Sequence, residues 1–226
     1  MSLPGPSAGT PATTGSKPQR CAEGRIGRLH VLTDARGGRD ALGTATLAIG
    51  AGAPVVQLRV KGVTDRELYD LGTRLMAACR RYGATCIVND RLDIALAIGA
   101  HGTHLGAGDL PIAAARRIAG PAHLIGGTAR EPVRAKALVA DGASYLGVGP
   151  AFTTSTKDGL PDPLGPEGVG AVALAVDVPV IAIGGVDADR VAELRAAGAY
   201  GVAVVSEVSD APDPAEATRR LLRELL

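Results

Sequence analysis

From residue 25 onward the chain repeats one pattern: a short run of Val, Ile and Leu, a glycine or polar turn, then a longer stretch with apolar residues at helical spacing. The short runs are Leu29–Leu32, Val55–Leu58, Cys86–Val88, Thr103–Leu105, His123–Ile125, Tyr145–Val148, Val180–Ile183 and Val202–Val205. They lack apolar/polar alternation, so each reads as a strand buried on both faces, as in a parallel sheet covered by helices. Helical spacing covers 38–51, 65–82, 91–98, 111–118, 131–141, 166–176, 187–197 and 213–225. It is clearest in 65–82, where Leu68, Leu71, Leu75, Cys79 and Tyr82 recur at steps of three and four behind a Thr64-x-x-Glu67 capping box. Eight such units in about 200 residues predict a closed (β/α)8 TIM barrel of the α/β class. A Rossmann-like open sheet is the runner-up, but no G-x-G-x-x-G follows the first strand, so a dinucleotide site has no support.

Composition narrows the function classes. Seventeen of residues 1–24 are Gly, Pro, Ser, Thr or Ala, which predicts a disordered tail ahead of a catalytic barrel at 25–226 and lacks the basic start and apolar core of a signal peptide. Asp177 and Pro179 interrupt the longest candidate membrane span. With 24 basic and 23 acidic residues, and with 4 Tyr, 1 Phe and no Trp, there is neither a field nor a stacking surface for nucleic acid. Cys21, Cys79 and Cys86 are odd in number and lack metal-ligand spacing, which suggests reduced thiols in the cytoplasm.

In a barrel of this kind the chemistry sits just after each strand. The second run continues Gln57-Leu58-Arg59-Val60-Lys61, and a period of two aims Gln57, Arg59 and Lys61 at the interior. Two cations there require an anion; the bland alternative is that internal carboxylates pair with them. The third run ends in Asn89-Asp90-Arg91, and the fourth leads into Gly106-Ala107-Gly108-Asp109-Leu110-Pro111. Either aspartate alone reads equally well as a helix cap, but together, beside two cations, they suit a hard divalent metal carrying a polyphosphate. The loop after the sixth run, with Thr153, Thr154, Ser155, Thr156 and Lys157, reads as a mobile lid over a phosphorylated substrate. Gly184-Gly185 and Val205-Ser206 close the seventh and eighth runs, where such barrels often hold a phosphate. Glycines 62, 106, 126, 127, 149, 184 and 185 all read as strand ends, where the backbone must turn or approach a phosphate. His30 and His104 read as packed, hydrogen-bonded residues, and His101 and His123 as loop and strand-start positions.

Taken together, Gln57-x-Arg59-x-Lys61, Asn89-Asp90-Arg91, His104-Leu105-Gly106-x-x-Asp109, Gly149-Pro150 with Thr154-x-Thr156-Lys157, Ile183-Gly184-Gly185 and Val205-Ser206 resemble the thiamine-phosphate synthase family over Arg25 to Leu226. The resemblance implies a (β/α)8 transferase of thiamine biosynthesis that joins a hydroxymethylpyrimidine diphosphate to a thiazole phosphate with Mg2+, releasing pyrophosphate. It implies that Asp90 and Asp109 hold Mg2+; that Arg59, Lys61, Asn89 and Lys157 bind the diphosphate, with Arg59, Lys61 and Lys157 acting in catalysis; and that Gln57 meets the pyrimidine. Thr128 takes the place of a serine near the pyrophosphate, and Thr154, Thr156, Gly185, Val205 and Ser206 hold the thiazole phosphate. The chain departs from the family pattern at Val60, usually acidic, at Ala107-Gly108, usually Gln and an acidic residue, and at Thr128-Ala129-Arg130, usually Ser-x-His. The alternatives are a thiazole tautomerase, a related barrel without the diphosphate site, and a non-catalytic barrel that binds a phosphorylated ligand. The implied partners are small phosphorylated pyrimidine and thiazole molecules, with a homo-oligomer left open.

Overall fold

In the computed structural model, residues 26–156 and 159–226 are described. The 1–24 tail, Cys21 and Lys157 therefore lie outside the described residues. Strands β1 (Leu29–Leu32), β2 (Val55–Leu58), β3 (Thr85–Asn89), β4 (Gly102–Leu105), β5 (Leu124–Ala129), β6 (Tyr145–Val148), β7 (Val180–Ile183) and β8 (Gly201–Val204) pair in chain order, all parallel, and β8 closes on β1. The helices are α1 (Ala41–Gly50), α2 (Asp65–Tyr82), α3 (Leu92–Ala97), α4 (Ile112–Ala119), α5 (Pro132–Ala140), α6 (Gly165–Ala173), α7 (Val191–Ala196), α8 (Ser206–Ser209) and α9 (Pro214–Glu224). The (β/α)8 barrel expected from the apolar runs is the observed fold. The capping box also forms: Thr64 Oγ1 accepts the Glu67 N–H at 3.3 Å and Glu67 returns an acceptor to the Thr64 N–H at 2.8 Å.

Side chains alternate about the sheet. Leu29 and Val31, or Val56 and Leu58, pack outward against the helices. Leu32, Val55, Ile87, Leu124, Tyr145, Ile181 and Ala203 form a second apolar cluster inside the barrel. Along β2, β3 and β5 the interior positions change from apolar to polar toward the carboxyl end: Val55 to Gln57, Ile87 to Asn89, Leu124 to Thr128. The barrel is thus closed by hydrocarbon below and opens onto hydrogen-bonding groups above.

The structure corrects several expectations. Strand β5 runs four residues beyond Ile125, so Gly126 and Gly127 lie inside the ladder, opposite His104 and Leu105, and are not strand-end turns. A Cβ on Gly126 would collide with the Tyr145 ring and His104 Nδ1, and one on Gly147 would lie 2.9 Å from His104 Cε1. The two glycines leave room for an imidazole inside the barrel. The 187–197 segment divides into a 3-10 turn, Ala188–Arg190, and α7. The eighth strand ends at Val204, and Val205 precedes the short helix α8, which has no apolar periodicity to reveal it. On α2, Leu68, Leu75 and Cys79 are buried as expected, but Tyr82 stands half exposed at the helix end.

Candidate active site

A cavity of ≈ 470 Å³ opens at the carboxyl ends of the strands. Gln57, Arg59 and Lys61 line it and Leu58 and Val60 do not, as the strand period requires. Asn89, Asp90, Asp109 and Thr128 complete the rim. Gln57 is buried, and the backbone after it is tied to β1, where Thr33 Oγ1 accepts the Arg59 N–H at 2.7 Å and donates to the Arg59 carbonyl at 3.1 Å. Lys61 pairs with Asp90, so for this cation the bland reading holds. Among the described residues the Arg59 guanidinium has no carboxylate partner.

Neither aspartate caps a helix. Arg91 and Pro111 occupy the positions ahead of α3 and α4, and no side chain bonds either helix start. Asp109 Oδ2 instead accepts the Gly106 N–H at 2.7 Å. Asp90 sits at φ 64°, the one non-glycine residue with positive φ among those described, which places strain at the site. Burial and a hydrogen bond with Asp90 push the Asp109 pKa up. Burial also acts to raise that of Asp90, but Lys61 and Asp109 outweigh it and the net shift is downward. Two carboxylates sharing one neighbourhood in this way form a site that a cation would relieve. Among the described residues no group of three or more His, Cys, Asp or Glu could hold a metal ion, so a hard divalent ion bound here would take its remaining ligands from substrate and water.

The floor of the cavity is a ring network. His104 bonds Thr128 Oγ1 at 3.0 Å through Nε2 and Tyr145 Oη at 3.2 Å through Nδ1, and Tyr145 also lies 5.3 Å from the His30 ring. His30 Nε2 reaches the Ile26 carbonyl at 2.6 Å. Burial pushes both histidines down to about 4, so they are neutral near pH 7. The expected hydrogen-bonded roles hold for both. His101 Nδ1 accepts the Cys86 N–H at 2.9 Å, and His123 Nε2 bonds Thr103 Oγ1 at 2.9 Å.

A second cavity, ≈ 160 Å³, adjoins the first and shares Leu32, Arg59, Thr128, Ile183 and Ala203 with it. Thr154, Thr156, Gly185, Val205 and Ser206 line it together. The Thr154 and Thr156 hydroxyls bond each other at 3.0 Å, and Thr154 Oγ1 also accepts the Thr156 N–H at 3.2 Å. Gly185 has φ +64°, and a Cβ there would approach the Thr153 carbonyl at 2.5 Å.

All described residues expected at the site thus line one of two adjoining cavities. Three residues outside the expected set also contribute. Tyr145 begins a strand and looks like core; Asp34 and Arg36 follow β1, where the rule of inspecting each strand end would have found them. Arg130, one of the departures from the family pattern, donates to the carbonyls of Gly149 at 3.0 Å and Asp162 at 2.8 Å, tying β5 to the loop after β6.

The sequence pattern of the thiamine monophosphate synthase family matches residues 29–208. The thiamine-phosphate synthase of Salinispora arenicola is 56% identical over 203 residues, covering 88% of this chain and 98% of that protein. The thiamine-phosphate synthase of Moorella thermoacetica is 45% identical over 191 residues, covering 84% and 91%. Among solved structures, the thiamine phosphate pyrophosphorylase of Pyrococcus furiosus superposes with a TM-score of 0.81 at 36% identity, covering 88% of this chain and 95% of that one. A 3-hexulose-6-phosphate synthase, at 19% identity and a TM-score of 0.67, shares the fold. Agreement of this extent, in sequence and in barrel shape, means that the chain belongs to the thiamine monophosphate synthase family.

Proposed function

We propose that the chain joins 4-amino-2-methyl-5-(diphosphomethyl)pyrimidine to a thiazole phosphate, giving thiamine phosphate and pyrophosphate. One observation carries this reading: a cavity rimmed by Arg59, Lys61, Asn89, Asp90 and Asp109 adjoins a smaller one lined by Thr154, Thr156, Gly185, Val205 and Ser206. A diphosphate and a phosphate monoester would each find suitable groups, with their organic halves between. A thiazole isomerase has no use for the charged rim of the larger cavity, and a barrel that only bound a phosphorylated ligand would release no pyrophosphate.

In this reading Gln57 orients the pyrimidine, while Arg59, Lys61, Asn89 and Lys157 hold the diphosphate. The bond between the methylene carbon and the diphosphate oxygen breaks, and its electron pair leaves with pyrophosphate. The aminopyrimidine ring delocalises the methylene cation, and the thiazole nitrogen lone pair forms the new C–N bond. Arg59, Lys61 and Lys157 stabilise the charge that develops on the leaving group. Asp90 and Asp109 would hold Mg2+, which when bound neutralises diphosphate charge. The neutral His30 and His104 add no positive charge beneath the reacting carbon, and Thr128, positioned by His104, faces both cavities.

The buried free thiols of Cys79 and Cys86 support a reducing, cytoplasmic setting. No helix among the described residues is long and apolar enough to cross a membrane. The test incubates the protein with both phosphorylated halves and Mg2+ and follows pyrophosphate and thiamine phosphate in parallel. Stoichiometric formation of both is expected; thiazole isomerisation without either product would replace this reading with the tautomerase.

A further inference from the structure

Among the described residues, the loop joining β6 to α6 is held at its base by several backbone bonds and at 153–156 from outside by one side chain. At the base, the Ala151 N–H donates to the Ile183 carbonyl at 2.8 Å, the Phe152 N–H to that of Gly184 at 2.9 Å, and the Leu164 N–H to that of Pro150 at 2.8 Å. Arg130 adds its two bonds to Gly149 and Asp162. Residues 153–156 carry the two hydroxyls that line the smaller cavity. Among the described residues, the only side chain outside the loop that bonds this tip is Arg36, whose Nη1 donates to the carbonyls of Ser155 at 3.3 Å and Thr156 at 3.0 Å.

Arg36 is itself aimed by Asp34. Its Nε and Nη2 donate to the two carboxylate oxygens of Asp34 at 2.8 and 2.9 Å, a bidentate pair, and its own backbone N–H donates to Oδ1 at 3.1 Å. The Asp34 side chain is 1% exposed and also lies 3.4 Å from Arg39 Nη1. The guanidinium hydrogen bond and charge of Arg36 hold the Asp34 pKa down. A buried carboxylate that fixes a planar guanidinium leaves its remaining edge pointing in one direction, here at the carbonyls beside Thr154 and Thr156.

We propose that Asp34 and Arg36 are a positioning pair that holds the 153–156 segment over the smaller cavity and thereby sets affinity for the phosphate of the thiazole substrate. The inference rests on the synthase reading above. Neither residue lines either cavity, so their effect is exerted through the loop.

Arg36→Ala should raise KM for the thiazole phosphate about tenfold, the loss of a charge-assisted bond pair, while KM for the pyrimidine diphosphate and kcat change less than about twofold. Arg36→Lys, which keeps the charge without the bidentate fork, should fall between the two, and Asp34→Asn should move the same constant as Arg36→Ala. Asp34 retains Arg39 in the Arg36 variants, so the barrel should keep its thermal midpoint. If the wild-type protein makes no thiamine phosphate, the synthase reading fails. If it does, and the thiazole KM is unchanged in Arg36→Ala, the pairing proposal fails. An equal rise in both KM values together with a lowered melting point would also overturn it, as would an Arg36→Lys protein indistinguishable from wild type should Arg36→Ala not fold.

Discussion

The two halves of the cleft are built differently. Gln57 and Asn89 lie on strands, and Arg59, Lys61 and Asp90 lie within three residues of strand ends, so the ladder places them. Thr154 and Thr156 lie six and eight residues past the end of β6, on a loop placed by Arg36 and Arg130, while Gly185, two residues past β7, contributes a positive-φ backbone. The strand-built half is densely charged and carries strain at Asp90; the loop-built half presents hydroxyls and close-approaching backbone. Charge that must face a developing anion gains from a rigid mount, because misplacement costs rate directly. Loop groups that grip a spectator phosphate can yield and re-form, at a cost in affinity.

The sharpest way to break this comparison is to remove charge from the rigid half. Lys61→Ala and Asp109→Ala should each lower kcat by on the order of 100-fold or more, against the KM-only effect expected of Arg36→Ala. Lys61 has a 64% exposed side chain, so its loss should leave the fold intact by thermal melting. Near wild-type kcat in both variants would remove the diphosphate and metal assignments and with them the contrast between the halves.

A smaller effect tests whether the floor of the rigid half is packed as tightly as the geometry indicates. Gly126→Ala places a methyl group against Tyr145 and His104 and should destabilise the barrel by about 1–3 kcal/mol in urea unfolding. The activity that remains should be reduced as well, since His104 carries Thr128. A neutral substitution would mean that the ring cluster can shift freely, contrary to a preorganised floor.

The same contrast decided what could be read from the sequence. The run Val180–Ile183 coincides with β7 at both ends, because burial on both faces leaves an unbroken apolar signature. Gln57, Arg59 and Lys61 were legible for a related reason: a period of two requires no knowledge of tertiary structure. Gly126 reads as a strand end in the sequence because glycine marks both turns and close approach, and only the partner ring, 19 residues away at Tyr145, distinguishes them. Arg36 stands at a strand end, where a site residue is expected, but its role is not legible there, because its partners Ser155 and Thr156 are some 120 residues distant and are met through carbonyls, which have no sequence signature.

The last expected effect concerns protons and is absent at neutral pH. His30 and His104 are held neutral inside the strand-built half at about 4, against 6.5 for an exposed histidine, and burial shifts His123 in the same direction. Between pH 6.5 and 4 the unfolded chain therefore binds more protons than the folded one, so stability is full above pH 6.5 and declines as the pH falls toward 4. Each strongly shifted histidine contributes a slope approaching about 1.4 kcal/mol per pH unit within that window. Asp34, shifted down from 3.8, adds to the loss only at lower pH. Urea midpoints measured at pH 7.5, 6.0 and 5.0 should fall steadily for the wild-type protein. In His104→Gln, which can keep a bond to Thr128 but cannot titrate, the slope should be shallower by about one proton. Parallel curves for the two proteins would mean that His104 takes up a proton in the folded barrel, and that the floor of the charged half is not held neutral by burial.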